Sequence, residues 1–98
     1  MAVKHAKQNS LGDRWTAKAF EIVVQGNVAK FSQNEKLGEF LLGTGLRVLV
    51  EASPRDRIWG IGLSEHDPGV DQPARWKGEN LLGFALMETR ARLLEMKR

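Results

Sequence analysis

The 98-residue sequence contains no cysteine, so disulfides and thiolate metal sites are excluded. It has two histidines, His5 and His66, which stand isolated and make a weak case for a metal; no metal and no cofactor are expected. No apolar run approaches membrane-spanning length, and the N-terminus lacks a signal-peptide core. A cytoplasmic protein without membrane association is the expectation. Neither charge sign is in large excess: 15 Lys and Arg face 12 Asp and Glu, a net charge of +3. Part of the surplus lies at the ends, in Lys4 and Lys7 and in Arg90, Arg92, Lys97 and Arg98. Cations there suit a helix C-terminus, or attract phosphate by a screened, non-specific route. No basic stripe interleaved with aromatics is present, and no groove-reading motif, so nucleic acid is not indicated as a sequence-specific target.

The chain that remains is 42% hydrophobic and the right length for one domain, residues 1–98, whose core has a narrow margin. Asp13 is placed to cap a helix starting near Arg14. Trp15, Ala19, Ile22, Gly26 and Ala29 form one stripe at helical spacing, and Phe20, Val24, Val28 and Phe31 a second beside it. Together they predict a helix buried on a wide face, with a break or close contact at Gly26. Ser32 or Asn34 can cap a second helix to Leu42, in which Phe40 and Leu41 pack with Leu37, and Gly43-Thr-Gly45 stops it. Leu46 to Val50 reads as a buried strand and Arg57 to Leu63 as a returning strand broken by Gly60 and Gly62. Ser64 to Lys77 reads as a loop. Gly78 or Asn80 opens a last helix to about Lys97, with Leu82, Ala85, Leu86, Thr89 and Leu93 inside and a Glu88–Arg92 pair outside. The predicted fold class is α+β: mostly helical, with a small sheet or β-hairpin packed by helices.

The run Glu51-Ala-Ser-Pro-Arg-Asp-Arg-Ile-Trp-Gly-Ile-Gly-Leu63 carries the chemistry. It clusters carboxylates, guanidiniums, a hydroxyl and an indole at the end of an apolar segment, a common way to present reactive groups on a rigid support. Glu51 is a candidate catalytic or ribose-binding carboxylate, or else a structural one. Asp56 can bind a ribose hydroxyl, hold Arg57, or end a turn after Pro54. Trp59 offers a stacking face for a flat ring beside two glycines, or simply core packing. Trp76 reads as a packing anchor. Asn80 can act through its side chain or cap a helix whose first-turn N–H groups suit phosphate. Ser53 has no nearby histidine to activate it, which argues against a serine nucleophile.

Together with Trp76-Lys-Gly-Glu-Asn-Leu-Leu-Gly83, Gln25-Gly-Asn-Val-Ala-Lys-Phe-Ser-Gln-Asn34 and Leu41-Leu-Gly-Thr-Gly45, this run resembles the NADAR (YbiA-like) family over roughly Trp15 to Leu94. The resemblance implies an N-glycosidase acting on a phosphorylated riboflavin-pathway intermediate or on an ADP-ribosylated guanine base. The first is a small-molecule nucleotide; the second brings contact with nucleic acid only as the carrier of a modified base. Lys30 and Asn34 match the family's Lys-Phe motif, which implies phosphate contact. Catalysis falls to Glu51 and Asp56, and substrate binding to Trp59, Lys30, Asn34, Arg57 and Asn80. Family domains usually begin with an aromatic- and Asn-rich section that has no counterpart before Trp15, so a domain shortened at its N-terminus is expected. That leaves two other readings: a non-catalytic ADP-ribose or nucleotide-binding module, or a fragment that pairs with a partner chain or as a homodimer.

Overall fold

The computed structural model describes residues 10–97, with side chains from Arg14 onward. Helix α1 spans Ser10–Gln33, α2 spans Glu35–Gly43 and α3 spans Leu81–Met96. A long connection holding one 3-10 turn, Pro73–Arg75, links α2 to α3. Helix α1 starts before Asp13, which therefore sits inside it rather than ahead of it. The helix runs unbroken through Gly26, where an added Cβ would meet open space. Its two apolar stripes divide. Val24 is buried, with Phe20, Val28 and Phe31 half-buried, whereas Trp15 is 71% and Ile22 59% exposed. Only the second stripe packs.

Asn34 caps α2 in extended geometry, its side-chain oxygen accepting from the Leu37 N–H at 3.1 Å. The helix stops as its glycines foretell. Thr44 and Gly45 donate to the carbonyls of Leu41 and Leu42, and Gly45 takes φ +63°. Phe40 does not pack with Leu37: it is 75% exposed. Gly38 faces α1, close to the Phe31 carbonyl, and a residue two positions on points to the other side of a helix.

The expected sheet is absent: the described residues contain no strand. Leu46–Val50 finds no neighbouring strand, and Leu46 and Val48 are exposed rather than buried. The Arg57–Leu63 segment folds as successive turns instead of a returning strand, joined to Glu51 by one bond from the Ile61 N–H at 3.0 Å. A single bond is not a ladder. The α+β expectation is corrected to a helical fold with an irregular polar connection.

The buried apolar residues are Val24 from α1, Leu41 from α2, Ala85 and Leu93 from α3, and Ile61 and Leu63 from the connection. The connection is thus anchored by its own core residues. Across the α1–α3 contact, Arg92 grips the Glu21 carboxylate with both terminal nitrogens, at 2.9 and 3.0 Å, while its Nε holds Glu88 at 2.8 Å. The Arg92 hydrogen bond holds the Glu21 carboxyl below its ordinary value of 4.5. A depressed carboxyl stabilises the fold above the unfolded value and loses that contribution as pH falls through the folded one. Arg92→Gln is therefore expected to lower the urea midpoint near pH 7, with the difference from wild type shrinking as pH drops below 4.5. Urea titrations at neutral and acidic pH check this.

Candidate functional site

The polar run folds into a compact loop seated on the N-terminal end of α3. Inside the loop, the Glu51 carbonyl accepts from Ser53 and Ile61, both at 3.0 Å. Asp56 Oδ1 accepts from the backbone of Ile58 at 3.0 Å and of Trp59 at 2.8 Å. These bonds, that from Trp59 foremost, hold the Asp56 carboxyl below its usual range. Asp56 is therefore a fixed anion that shapes the turn.

The loop then offers its carbonyls to the approaching helix. Arg57, Ile58, Trp59, Gly60 and Ile61 accept from the N–H groups of Glu79, Leu81, Leu82, Asn80 and Lys77, at 2.8–3.1 Å. The first N–H groups of a helix normally lack partners; here Leu81 and Leu82 are satisfied by the loop. Two of the first-turn N–H groups expected to suit phosphate are thus already used.

Asn80 locks the assembly. It is fully buried and adopts the left-handed conformation, φ 55°. Its side chain makes no helix cap. Instead Oδ1 accepts from the Glu51 N–H at 2.8 Å, and Nδ2 donates to the Leu49 carbonyl at 2.9 Å. The amide satisfies the backbone on both sides of Val50 and fixes where the Glu51 side chain starts. Two glycines make the approach close enough. A Cβ on Gly83 would overlap the Leu49 carbonyl and the Asn80 amide, and one on Gly78 would overlap the Gly60 carbonyl.

The structure thus brings Glu51, Asp56, Arg57, Trp59 and Asn80 together at one end of α3. Glu51 is half-buried, and its carboxylate has no hydrogen-bond or ion-pair partner among the described residues. Trp59 is half-buried and Arg57 exposed. Trp76 anchors its own loop through an indole bond to the Val70 carbonyl at 2.9 Å. Lys30 and Asn34 lie elsewhere. Their neighbours Phe31, Ser32, Gln33 and Glu35 line a cleft of about 500 Å³ with Leu93, Met96 and Lys97, at the far end of α3. That end is roughly 18 Å along the helix from Leu81, at 1.5 Å per residue. Asn34 is occupied in capping α2, and the Lys30 ammonium stands 5.7 Å from the Phe31 ring.

One cation escaped the sequence reading. Lys77 Cβ and Arg57 Cγ lie 3.0 and 3.3 Å from where a Gly62 Cβ would stand, so the two stems flank that glycine. Gly62 has φ +72°, which leaves it free of a side chain between them. The Lys77-Gly pair carried a turn signal, but its nearness to Arg57 depends on a contact between residues 61 and 77 that no local pattern announces. Among the described residues, no group of His, Asp and Glu could hold a metal ion. No helix is long and apolar enough to cross a membrane.

A family model described as the NADAR domain matches residues 2–94. The chain is 49% identical over 76 residues to an N-glycosidase of Acanthamoeba polyphaga mimivirus, covering 78% of this chain and 45% of that protein. It is 31% identical over 87 residues to the N-glycosidase YbiA of Escherichia coli (strain K12), covering 89% of this chain and 48% of that protein. It is 34% identical over 80 residues to the chloroplastic riboflavin biosynthesis protein PYRR of Zea mays, covering 82% of this chain and 11% of that protein. The chain spans less than half the length of these relatives. No solved structure matches it.

Proposed function

The chain belongs to the NADAR family, and on that premise we propose that it carries part or all of an N-glycosidase site, hydrolysing a bond between a ribose carbon and a nitrogen. One observation carries the reading: a half-exposed glutamate with no described partner, its backbone clamped by a buried asparagine, in the loop that also holds an indole. Lengthening of the C–N bond builds positive charge on the sugar. A carboxylate at Glu51 opposes that charge, or orients the water that replaces the base. Asp56, fixed as an anion by the Ile58 and Trp59 N–H groups, adds negative potential under the loop and serves no proton transfer. Trp59 supplies a stacking face for the departing ring. Arg57 and Lys77 are the cations best placed for a substrate phosphate, since the Leu81 and Leu82 N–H groups are taken by the loop.

Relatives named for N-glycosidase and riboflavin biosynthesis support a ribosylated pyrimidine intermediate of that pathway as substrate. An ADP-ribosylated guanine base is the second substrate class. Incubation with each, followed by detection of released base and ribose phosphate, tests the reading. Glu51→Gln is expected to lower turnover about 100-fold with the fold unchanged, the size typical of losing one group that stabilises transition-state charge. Equal turnover by wild type and variant would remove Glu51 from the chemistry. Because the chain spans less than half of each relative, nucleotide binding without turnover is the second reading. Calorimetry with ADP-ribose, showing heat of binding but no product, would select it.

A further inference from the structure

Residues 44–51 lead from the end of α2 to Glu51, and little apolar burial holds them. Gly45, Leu46, Arg47 and Val48 are exposed, and Leu49 and Val50 only half-buried. Two side chains of α3 hold the segment instead. Asn80 takes the Leu49 carbonyl and the Glu51 N–H. Arg90, about 15 Å further along the helix, takes the beginning. Its Nη1 donates to Thr44 Oγ1 at 2.8 Å and to the Arg47 carbonyl at 2.9 Å. That nitrogen carries two hydrogens, so both bonds are made at once. The Thr44 hydroxyl spends its own proton on the Leu41 carbonyl at 2.6 Å, so toward Arg90 it can only accept. The guanidinium is half-buried and has no carboxylate within ion-pair distance among the described residues. Its charge is spent on neutral oxygens of this one segment, and bonds from a charged donor are stronger than neutral ones.

We propose that Arg90 is a positioning residue for Glu51, acting through residues 44–51 rather than on substrate; the inference rests on the N-glycosidase reading of Glu51. Held at Asn80 alone, the segment pivots about that one amide. Held at Arg90 as well, it is fixed at both ends against the same helix, and the Glu51 carboxylate keeps one direction of approach. Displacing a reacting group by about 1 Å costs up to roughly 100-fold in rate. The tie to Thr44 also fixes where α2 ends, so the start of the segment does not drift with that helix.

Arg90→Gln is expected to lower kcat about tenfold with KM unchanged, because the carboxylate is misaligned rather than lost. Arg90→Lys keeps a charged donor and should recover part of that loss. The Glu51 amide should exchange with solvent about tenfold faster in Arg90→Gln, while the buried Thr89 amide within α3 keeps its wild-type rate. Arg92→Gln is the control. Two residues on, Arg92 ties α3 to α1, so its loss lowers stability without changing kcat or the exchange of Glu51 relative to Thr89. If Glu51 exchange in Arg90→Gln quickens no more than that of Thr89, the arginine only holds the fold together and the proposal is overturned. An unchanged kcat in Arg90→Gln overturns it too. A wild-type chain that releases no base from any substrate counts against the N-glycosidase reading instead, and the exchange comparison then still decides whether Arg90 fixes Glu51.

Discussion

Asn80→Ala is expected to destabilise the fold by about 3–5 kcal/mol, read as a lowered urea midpoint. Two causes add. The variant leaves the Glu51 N–H and the Leu49 carbonyl without partners in a part-buried place, at roughly 1–3 kcal/mol each. It also asks alanine to hold φ 55°, where asparagine is tolerated better, for about 1 kcal/mol more. Asn80→Gly separates the causes. It keeps the left-handed conformation without strain but loses both hydrogen bonds, so it should lie between wild type and alanine. If Asn80→Ala melts like wild type, Asn80 does not lock the loop, and the placement of Glu51 loses its physical basis.

Gly83→Ala should be the second large effect, and here two known tendencies oppose each other. Alanine favours a helix interior over glycine by about 1 kcal/mol. At position 83, however, the new methyl overlaps the Leu49 carbonyl and the Asn80 amide, both tied into the clamp. Crowding that must move backbone costs about 1–3 kcal/mol or more, so a net loss of about 2 kcal/mol is expected. Gly26→Ala is the internal control: its Cβ meets open space, so the same change should stabilise by about 1 kcal/mol. A gain in stability at both positions would show that the loop yields easily to α3. The double variant Asn80→Ala with Gly83→Ala should lose less than the sum, because the truncated side chain vacates the space the methyl needs.

The helices were legible in the residues because their signals are local. Asn34 caps α2, Gly45 supplies the positive φ that ends it, and Ala85, Thr89 and Leu93 fall on the buried face of α3. Alpha1 was half legible. Two adjacent stripes each satisfied the helical period, and nothing local told Phe20 and Val24 from Trp15 and Ile22 as the packed one. The sheet failed for a different reason. Apolar composition announces an extended chain, not the presence of a neighbour to pair with it. The turns at Ile58 and Trp59 could have been found, since an aspartate whose carboxylate reaches the N–H two residues on favours a turn over a strand. At the candidate site, the cluster from Glu51 to Trp59 showed in composition. The Asn80 clamp and the nearness of Lys77 to Arg57 did not, because both rest on contacts between remote parts of the chain.

The way α3 begins has a consequence for how the molecule opens. Its first amides are satisfied by carbonyls more than twenty positions earlier, Ile58 for Leu81 and Trp59 for Leu82, rather than by a neighbouring serine or aspartate. That helix end cannot be completed until the intervening chain has closed on itself. Once closed, neither side can fray alone without stranding polar groups of the other. The start of α3 and residues 51–61 therefore form one cooperative unit, breathing together or not at all.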